Sequence, residues 1–398
     1  LLLAAQKLIT GDGQTVIPNG ALLIEGKQIV DIGSLPELQR RYPNQTEITH
    51  YGDATLLPGL IDMHVHVGYW YNRRQRDIYD PHLVALMAQN YARRALLSGV
   101  TTMRDVSSGN GVCQALVNGA RLGYITIPRL FYVNQAIIAT GGHAYYAGDS
   151  VIEVDGEVEI RKAVRRQVKA GAQWIKVMTS HRTPGISEFT LEELRAAVDE
   201  AHRHLRKIAV HAGLQPAIEY CVEAGFDTIE HGTEISYEQA QRMVAKGMAW
   251  TPTASVHHYS YQRLEAIRAS GGGINPTAIQ GESLRIYGAA NAAFRQKLND
   301  FAALGLTIVA GTDMISEDAP AAPVAAELKV FVEYGYTPVQ AIAVGTSHGA
   351  KVLGLAGEIG LLAKGAIADI LVVQGDASRD ITALERVKKV YFAGELQV

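Results

Sequence analysis

Six residues of this 398-residue sequence fall where a pair of divalent metal ions would need ligands: His64, His66, Lys176, His211, His231 and Asp313. The densest stretch is Leu57-Pro58-Gly59-Leu60-Ile61-Asp62-Met63-His64-Val65-His66, an apolar run that ends in His-x-His. Residues two apart on a strand face the same side, so both imidazoles can reach one ion. His211 closes Lys207-Ile208-Ala209-Val210, and His231 closes Asp227-Thr228-Ile229-Glu230. Asp313 follows Thr307-Ile308-Val309-Ala310-Gly311-Thr312. Imidazole with carboxylate suits zinc, and this many donors can hold two divalent ions. Two ions about 3.5–4 Å apart activate water and polarise a carbonyl, so the chemistry such a set would support is hydrolysis.

Lys176 stands inside the apolar run Trp174-Ile175-Lys176-Val177-Met178. A buried ammonium is costly unless it is paired or modified. One reading is a lysine paired with a buried carboxylate. The other is a carbamate, formed from CO2 on the neutral amine, whose two oxygens would bridge the two metals. His143, in the glycine-rich stretch Ala139-Thr140-Gly141-Gly142-His143, is a candidate to touch substrate, because backbone can approach a ligand closely there. Tyr237 and Arg182 are further candidate substrate contacts, and His181 is a weaker one. His202 and His204 read as solvated helix positions, His257 and His258 as part of a long connection, and His348 as helical.

These side chains need elements to bring them together. Strand-like runs fall at 56–61, 101–105, 129–133, 174–178, 208–211, 228–230, 249–251 and 307–310. Helical periodicity appears at 157–170, 191–205 and 216–224. Alternation of strands and helices predicts an α/β fold, a (β/α)8 TIM barrel spanning 56–359. A doubly wound open sheet is the other candidate. Ligands after the first, fourth, fifth, sixth and eighth runs converge only if the sheet closes. The connection 254–304 is long and contains Gly271-Gly272-Gly273, which suggests part of a lid. Residues 1–55 carry short strand-like runs with turns, and 368–373 and 387–392 look similar. Together 1–55 and 360–398 predict one small β-sandwich domain built from both chain ends.

Composition narrows the function. Net charge is −3 with no long block of one sign, so neither nucleic acid nor an anionic membrane is expected as a partner. No apolar run is long enough for a transmembrane helix. Leu1-Leu2-Leu3-Ala4-Ala5 lacks a basic flank and reads as a first strand, not a signal peptide. Cys113 and Cys221 form no Cys-x-x-Cys pair, which points to a reducing, cytoplasmic setting. No Gly-x-Gly-x-x-Gly or P-loop follows a strand, so the expected partner is a small molecule or dipeptide; a homo-oligomer is left open.

The pattern resembles the amidohydrolase superfamily: Leu-Pro-Gly-Leu-Ile-Asp-x-His-x-His, a lysine on the fourth strand, histidines after the fifth and sixth, and an aspartate after the eighth. Thr140-Gly141-Gly142-His143 and Ala170-Gly171-Ala172-Gln173-Trp174-Ile175-Lys176-Val177-Met178 look like the imidazolonepropionase-like branch. That branch includes metal-dependent prolidases and arginine/lysine carboxypeptidases. The resemblance implies His64, His66 and Asp313 on one metal, His211 and His231 on the other, and carboxylated Lys176 between them. Peptidase-like relatives often continue past the fourth strand with a small glycine-rich stretch, whereas this chain has Thr179-Ser180-His181-Arg182-Thr183-Pro184-Gly185. The expected activity is cleavage of the amide bond of a dipeptide or N-acyl amino acid by a metal-bridging hydroxide, with Asp313 as proton shuttle. A cyclic amide, lactone or organophosphate triester is the rival substrate class. A non-catalytic structural relative would be expected to lack some of the six ligands.

Overall fold

The apolar runs pair in sequence order, as a closed barrel requires. A computed structural model describes residues 1–68, 80–180, 185–271, 279–313 and 323–398. Its barrel strands are β1 (Leu60–Val65), β2 (Val100–Asp105), β3 (Arg129–Tyr132), β4 (Trp174–Met178), β5 (Lys207–Ala212), β6 (Thr228–His231), β7 (Ala249–Thr251) and β8 (Thr307–Ile308). β1, β2 and β3 form one parallel set, and β4 to β8 form another. The backbone bends at Asn134 (φ 62°), and the chain continues as Ala136–Ile138, which pairs with β4 at Ile137 and Val177. The amide of Gln173 also donates to the Tyr132 carbonyl at 3.1 Å. The ring closes where the Met63 amide donates to the Ala310 carbonyl (2.9 Å) and the Asp313 amide to the His64 carbonyl (2.8 Å). The molecule is therefore the expected (β/α)8 barrel.

Two details differ from the sequence reading. The run 56–61 is not one strand. Ala54–Pro58 belongs to a terminal sheet and β1 begins at Leu60. Gly59 makes the break: a Cβ there would meet the Thr101 side chain at 2.3 Å. The eighth run, 307–310, is a ladder strand only over Thr307–Ile308. Beyond it the backbone turns to bond both β1 and the Val344 carbonyl.

The helices obey their local signals. Leu191–Arg203 starts at a Thr190/Glu193 capping box, and Ala217–Ala224 stops at Gly225 in the left-handed conformation. Gly156–Lys169 carries Glu157 and Glu159 in its first turn and Arg166 and Lys169 in its last, matching the helix dipole. The long connection after β7 is largely helical, Ala254–Ala269 and Ile279–Ala303 packed on each other, rather than an open loop. The Gly272-Gly273 part of it lies outside the described residues. Among the described residues, no helix is long and apolar enough to cross a membrane.

Both chain ends contribute to a pair of sheets. One holds Gln28–Ser34, Gly20–Glu25, Leu2–Ala4 and Ile48–His50; the other holds Glu395–Leu396, Val387–Phe392, Ile370–Gln374, Ala54–Pro58, Lys7–Ile9 and Val16–Pro18. The first run of the chain thus crosses from one sheet to the other at Ala5-Gln6. Alternation sorts the second sheet's faces. Leu56, Ile370 and Val372 pack toward the first sheet, whereas Leu57, Leu371 and Val373 join the core that surrounds the barrel. Arg129 pairs with buried Asp369 and lies over the Phe392 ring, tying the third barrel strand to the terminal sheet.

Candidate metal centre

Parallel pairing fixes which residues meet at the C-terminal rim. Met178 aligns with His211, and Ala212 with His231, so the ends of β4, β5 and β6 lie side by side. Asp62 draws the end of β8 onto β1: its carboxylate accepts from the Thr312 amide (3.0 Å), the Thr312 hydroxyl (2.8 Å) and the His64 amide (3.2 Å). The chain passes so close that a Cβ at Gly311 would meet His64 Cβ at 2.7 Å. Asp313 follows in the left-handed region (φ 50°). All six predicted ligand residues line one cavity of about 570 Å3, together with His143 and His257.

Within that cavity the donors converge. Ligand atoms of His64, His66 and Asp313 all lie within 4.8 Å of one another. The Asp313 Oδ1 is 3.4 Å from His64 Nε2 and 3.3 Å from His66 Nε2. Ring centroids of His211 and His231 are 4.6 Å apart, and those of His64 and His231 5.2 Å. His143 stacks on His211 at 4.1 Å. His231 Nδ1 lies 2.7 Å from the Thr253 hydroxyl oxygen.

The far sides of the β1 histidines are occupied. His64 Nδ1 donates to the Glu230 carboxylate at 2.7 Å, and His66 Nδ1 donates to the Ser107 carbonyl at 3.1 Å. Each bond leaves Nε2 with its lone pair toward the cavity, as metal ligation needs. Glu230 in turn accepts from Arg104 (2.7 Å) and from the Thr228 hydroxyl (2.5 Å), and Arg104 Nε donates to the Met63 carbonyl at 2.6 Å. Burial alone would raise the Glu230 carboxyl, but the Arg104 guanidinium and His64 outweigh it and hold it well below the usual range. Burial pushes His64 down to about 4 and holds His211 and His231 well below the ordinary histidine value, so these imidazoles are neutral at pH 7. Burial opposes both charges of the His66–Asp313 pair but is outweighed: the contact holds the Asp313 carboxyl below its usual range and the His66 imidazole above its own.

Lys176 is fully buried, and among the described residues its Nζ has no hydrogen-bond partner. No carboxylate among the described residues hydrogen-bonds to it. Glu230, whose charge reaches it together with that of Asp313, is already engaged by Arg104, Thr228 and His64. Burial pushes the Lys176 ammonium down to about 8, which makes the neutral amine accessible. An orphaned amine beside imidazoles and a carboxylate fits a divalent-cation site.

The other sequence candidates divide. His143 lines the cavity. Tyr237 does not: it begins the helix Tyr237–Lys246 behind the Ser236 cap and is 54% exposed on the outside. Arg182 and His181 lie outside the described residues. His202 pairs with Asp227 on the surface, and His348 bonds the Ile308 carbonyl. His257, read as part of the connection, is instead buried in the cavity wall, with its ring 5.7 Å from that of His231. Arg104 and Glu230 went unread as a support for His64, although each is a charged residue inside one of the predicted strand runs, 101–105 and 228–230. Charge within such a run was the available signal.

The model of the amidohydrolase family matches residues 55–396. Ochratoxinase from Aspergillus niger is 29% identical over 98% of this chain and 84% of its own length, and a crystal structure of it superposes with a TM-score of 0.83. A Xaa-Pro dipeptidase structure with methionine bound in its active site gives a TM-score of 0.86 at 28% identity, covering 100% of this chain and 99% of that one. Imidazolonepropionase from Solibacter usitatus is 22% identical over 96% of this chain and 91% of its own length.

Proposed function

The chain belongs to the amidohydrolase family, and from that membership we propose that it hydrolyses the amide bond of a dipeptide or N-acyl amino acid at a binuclear metal centre. The observation that carries this reading is Lys176: a fully buried amine, without a hydrogen-bond partner among the described residues, in a cavity shared with four histidine ligands and Asp313. His64, His66 and Asp313 would hold one ion, His211 and His231 the other, with zinc the expected metal. The Lys176 amine adds to CO2, losing one proton, and the resulting carbamate would offer an oxygen to each ion. When bound, two such ions supply Lewis acidity toward a carbonyl and lower the pKa of water toward about 7.

The chain's own groups do the rest. Asp313, kept ionised by its histidine neighbours, takes a proton from the attacking water and returns it to the leaving nitrogen. His143, on the cavity wall against His211, is positioned to hold the substrate's carbonyl oxygen or its anionic end. Met178, Leu214, Val256 and Ile286 give the cavity an apolar side that suits an acyl group or apolar side chain. A volume of about 570 Å3 accommodates a substrate of that size. Similarity to a Xaa-Pro dipeptidase supports a peptide bond as the target. Cys113 and Cys221 are buried and unbridged, which supports a reducing, cytoplasmic setting.

The test is a hydrolysis screen of dipeptides and N-acyl amino acids with metal-replete protein. Turnover of at least one amide should disappear with a chelator and return with zinc. Turnover confined to lactones or phosphotriesters would replace amide hydrolysis with the rival substrate class.

A further inference from the structure

Thr253 lies between β7 and the helix Ala254–Ala269, is fully buried, and has φ 50° and ψ 49°. β-Branched residues avoid the left-handed region, so the conformation persists only if its surroundings impose it. The imposing group is Glu327, on the helix Pro323–Glu333, itself fully buried. Its carboxylate accepts from the two amides that follow Thr253, those of Ala254 (2.9 Å) and Ser255 (2.6 Å).

Both oxygens of Thr253 are engaged. Oγ1 lies 2.7 Å from the Pro252 carbonyl and 2.7 Å from His231 Nδ1. A carbonyl has no proton to give, so the single hydroxyl proton goes to Pro252. Oγ1 must then accept from His231, which places the imidazole proton on Nδ1. The Thr253 carbonyl lies 3.0 Å from His257 Nδ1 and by the same reasoning can only accept. One residue thus fixes two imidazoles that line the cavity, leaving the lone pair of each on Nε2.

We propose that Thr253, locked by Glu327, is a positioning residue that sets the tautomer of His231 and His257 and so the readiness of His231 to bind metal. The metal part rests on the proposed second ion at His211 and His231; the tautomer part does not.

The experiment compares wild type, Thr253→Val and Thr253→Ser in two measurements. The first is 15N NMR of histidine-labelled, metal-free protein. Wild type and Thr253→Ser should show His231 and His257 as Nδ1–H tautomers. Thr253→Val keeps the shape and the backbone carbonyl but removes the hydroxyl. It should release His231 to mixed tautomers while leaving His257 unchanged. The second is zinc titration of the same proteins. The weaker site of Thr253→Val should lose about 10–100-fold in affinity, the usual effect of removing a support behind a ligand, and Thr253→Ser should match wild type. A Thr253→Val protein that keeps His231 wholly Nδ1–H overturns the proposal. So does one that binds both zinc ions undiminished, or a Thr253→Ser protein that fails as Thr253→Val does. Wild type with the expected tautomers but a single zinc overturns the binuclear reading while supporting the role of Thr253 in ordering the rings.

Discussion

At the scale of single residues, the centre is made by what stands behind each ligand. His64 leans on Glu230, which leans on Arg104; His66 leans on the Ser107 carbonyl. Lys176 Nζ has no hydrogen-bond partner among the described residues, and the proposed carbamate would give it one. Lys176→Ala should lose the bridging ligand, a large share of bound metal and nearly all turnover, and short-chain carboxylic acids added to it should restore part of both. Lys176→Arg should stay inactive, because guanidinium remains charged and forms no carbamate. Wild-type turnover by the arginine variant would remove Lys176 from the mechanism. Asp313→Asn keeps one ligating oxygen and removes the proton acceptor. Metal content should survive while kcat falls about 10²–10⁴-fold, and an unchanged rate with both metals bound would show that Asp313 carries no proton.

At the scale of elements, the site was legible in the sequence where a polar residue ended or interrupted an apolar strand. His64, His66, Lys176, His211, His231 and Asp313 were read this way because the barrel gathers strand ends, and strand ends are local features. His257 was missed for the opposite reason. It lies on a helix of the long connection, and only the packing of Ala254–Ala269 beside β7 brings it to the cavity. Tyr237 failed likewise, since nothing local says which way a helix start faces. The split of 56–61 at Gly59 depends on contact with Thr101, a neighbour no run of residues reveals. Glu327 shows how one helix supports another at a measurable cost. Burial pushes its carboxyl from 4.5 up to about 7. The folded protein therefore holds this proton more tightly than the unfolded chain does. The associated stability is fully present below about pH 4.5 and is lost as pH rises through about 7, on the order of 3 kcal/mol in all. Glu327→Gln should flatten this dependence, so thermal melts of metal-free protein at pH 5 and pH 8 should differ less than in wild type. An equal difference in both proteins would mean that Glu327 does not titrate in that window.

At the scale of the whole molecule, the barrel carries the centre and the paired terminal sheets brace it from outside. We read residues 1–55 with 360–398 as one β-domain and 56–359 as the catalytic barrel, with Ala54–Pro58 running across that boundary. The Arg129–Asp369 pair and the divided faces of the six-stranded sheet make the two parts one packed body. Under the proposed function the centre holds two metal ions with Lys176 between them. Elemental analysis of protein purified without chelator measures this directly. Close to two divalent metals per chain are expected in wild type. A consistent value of one, with Lys176 unmodified by mass spectrometry, would contradict that expectation.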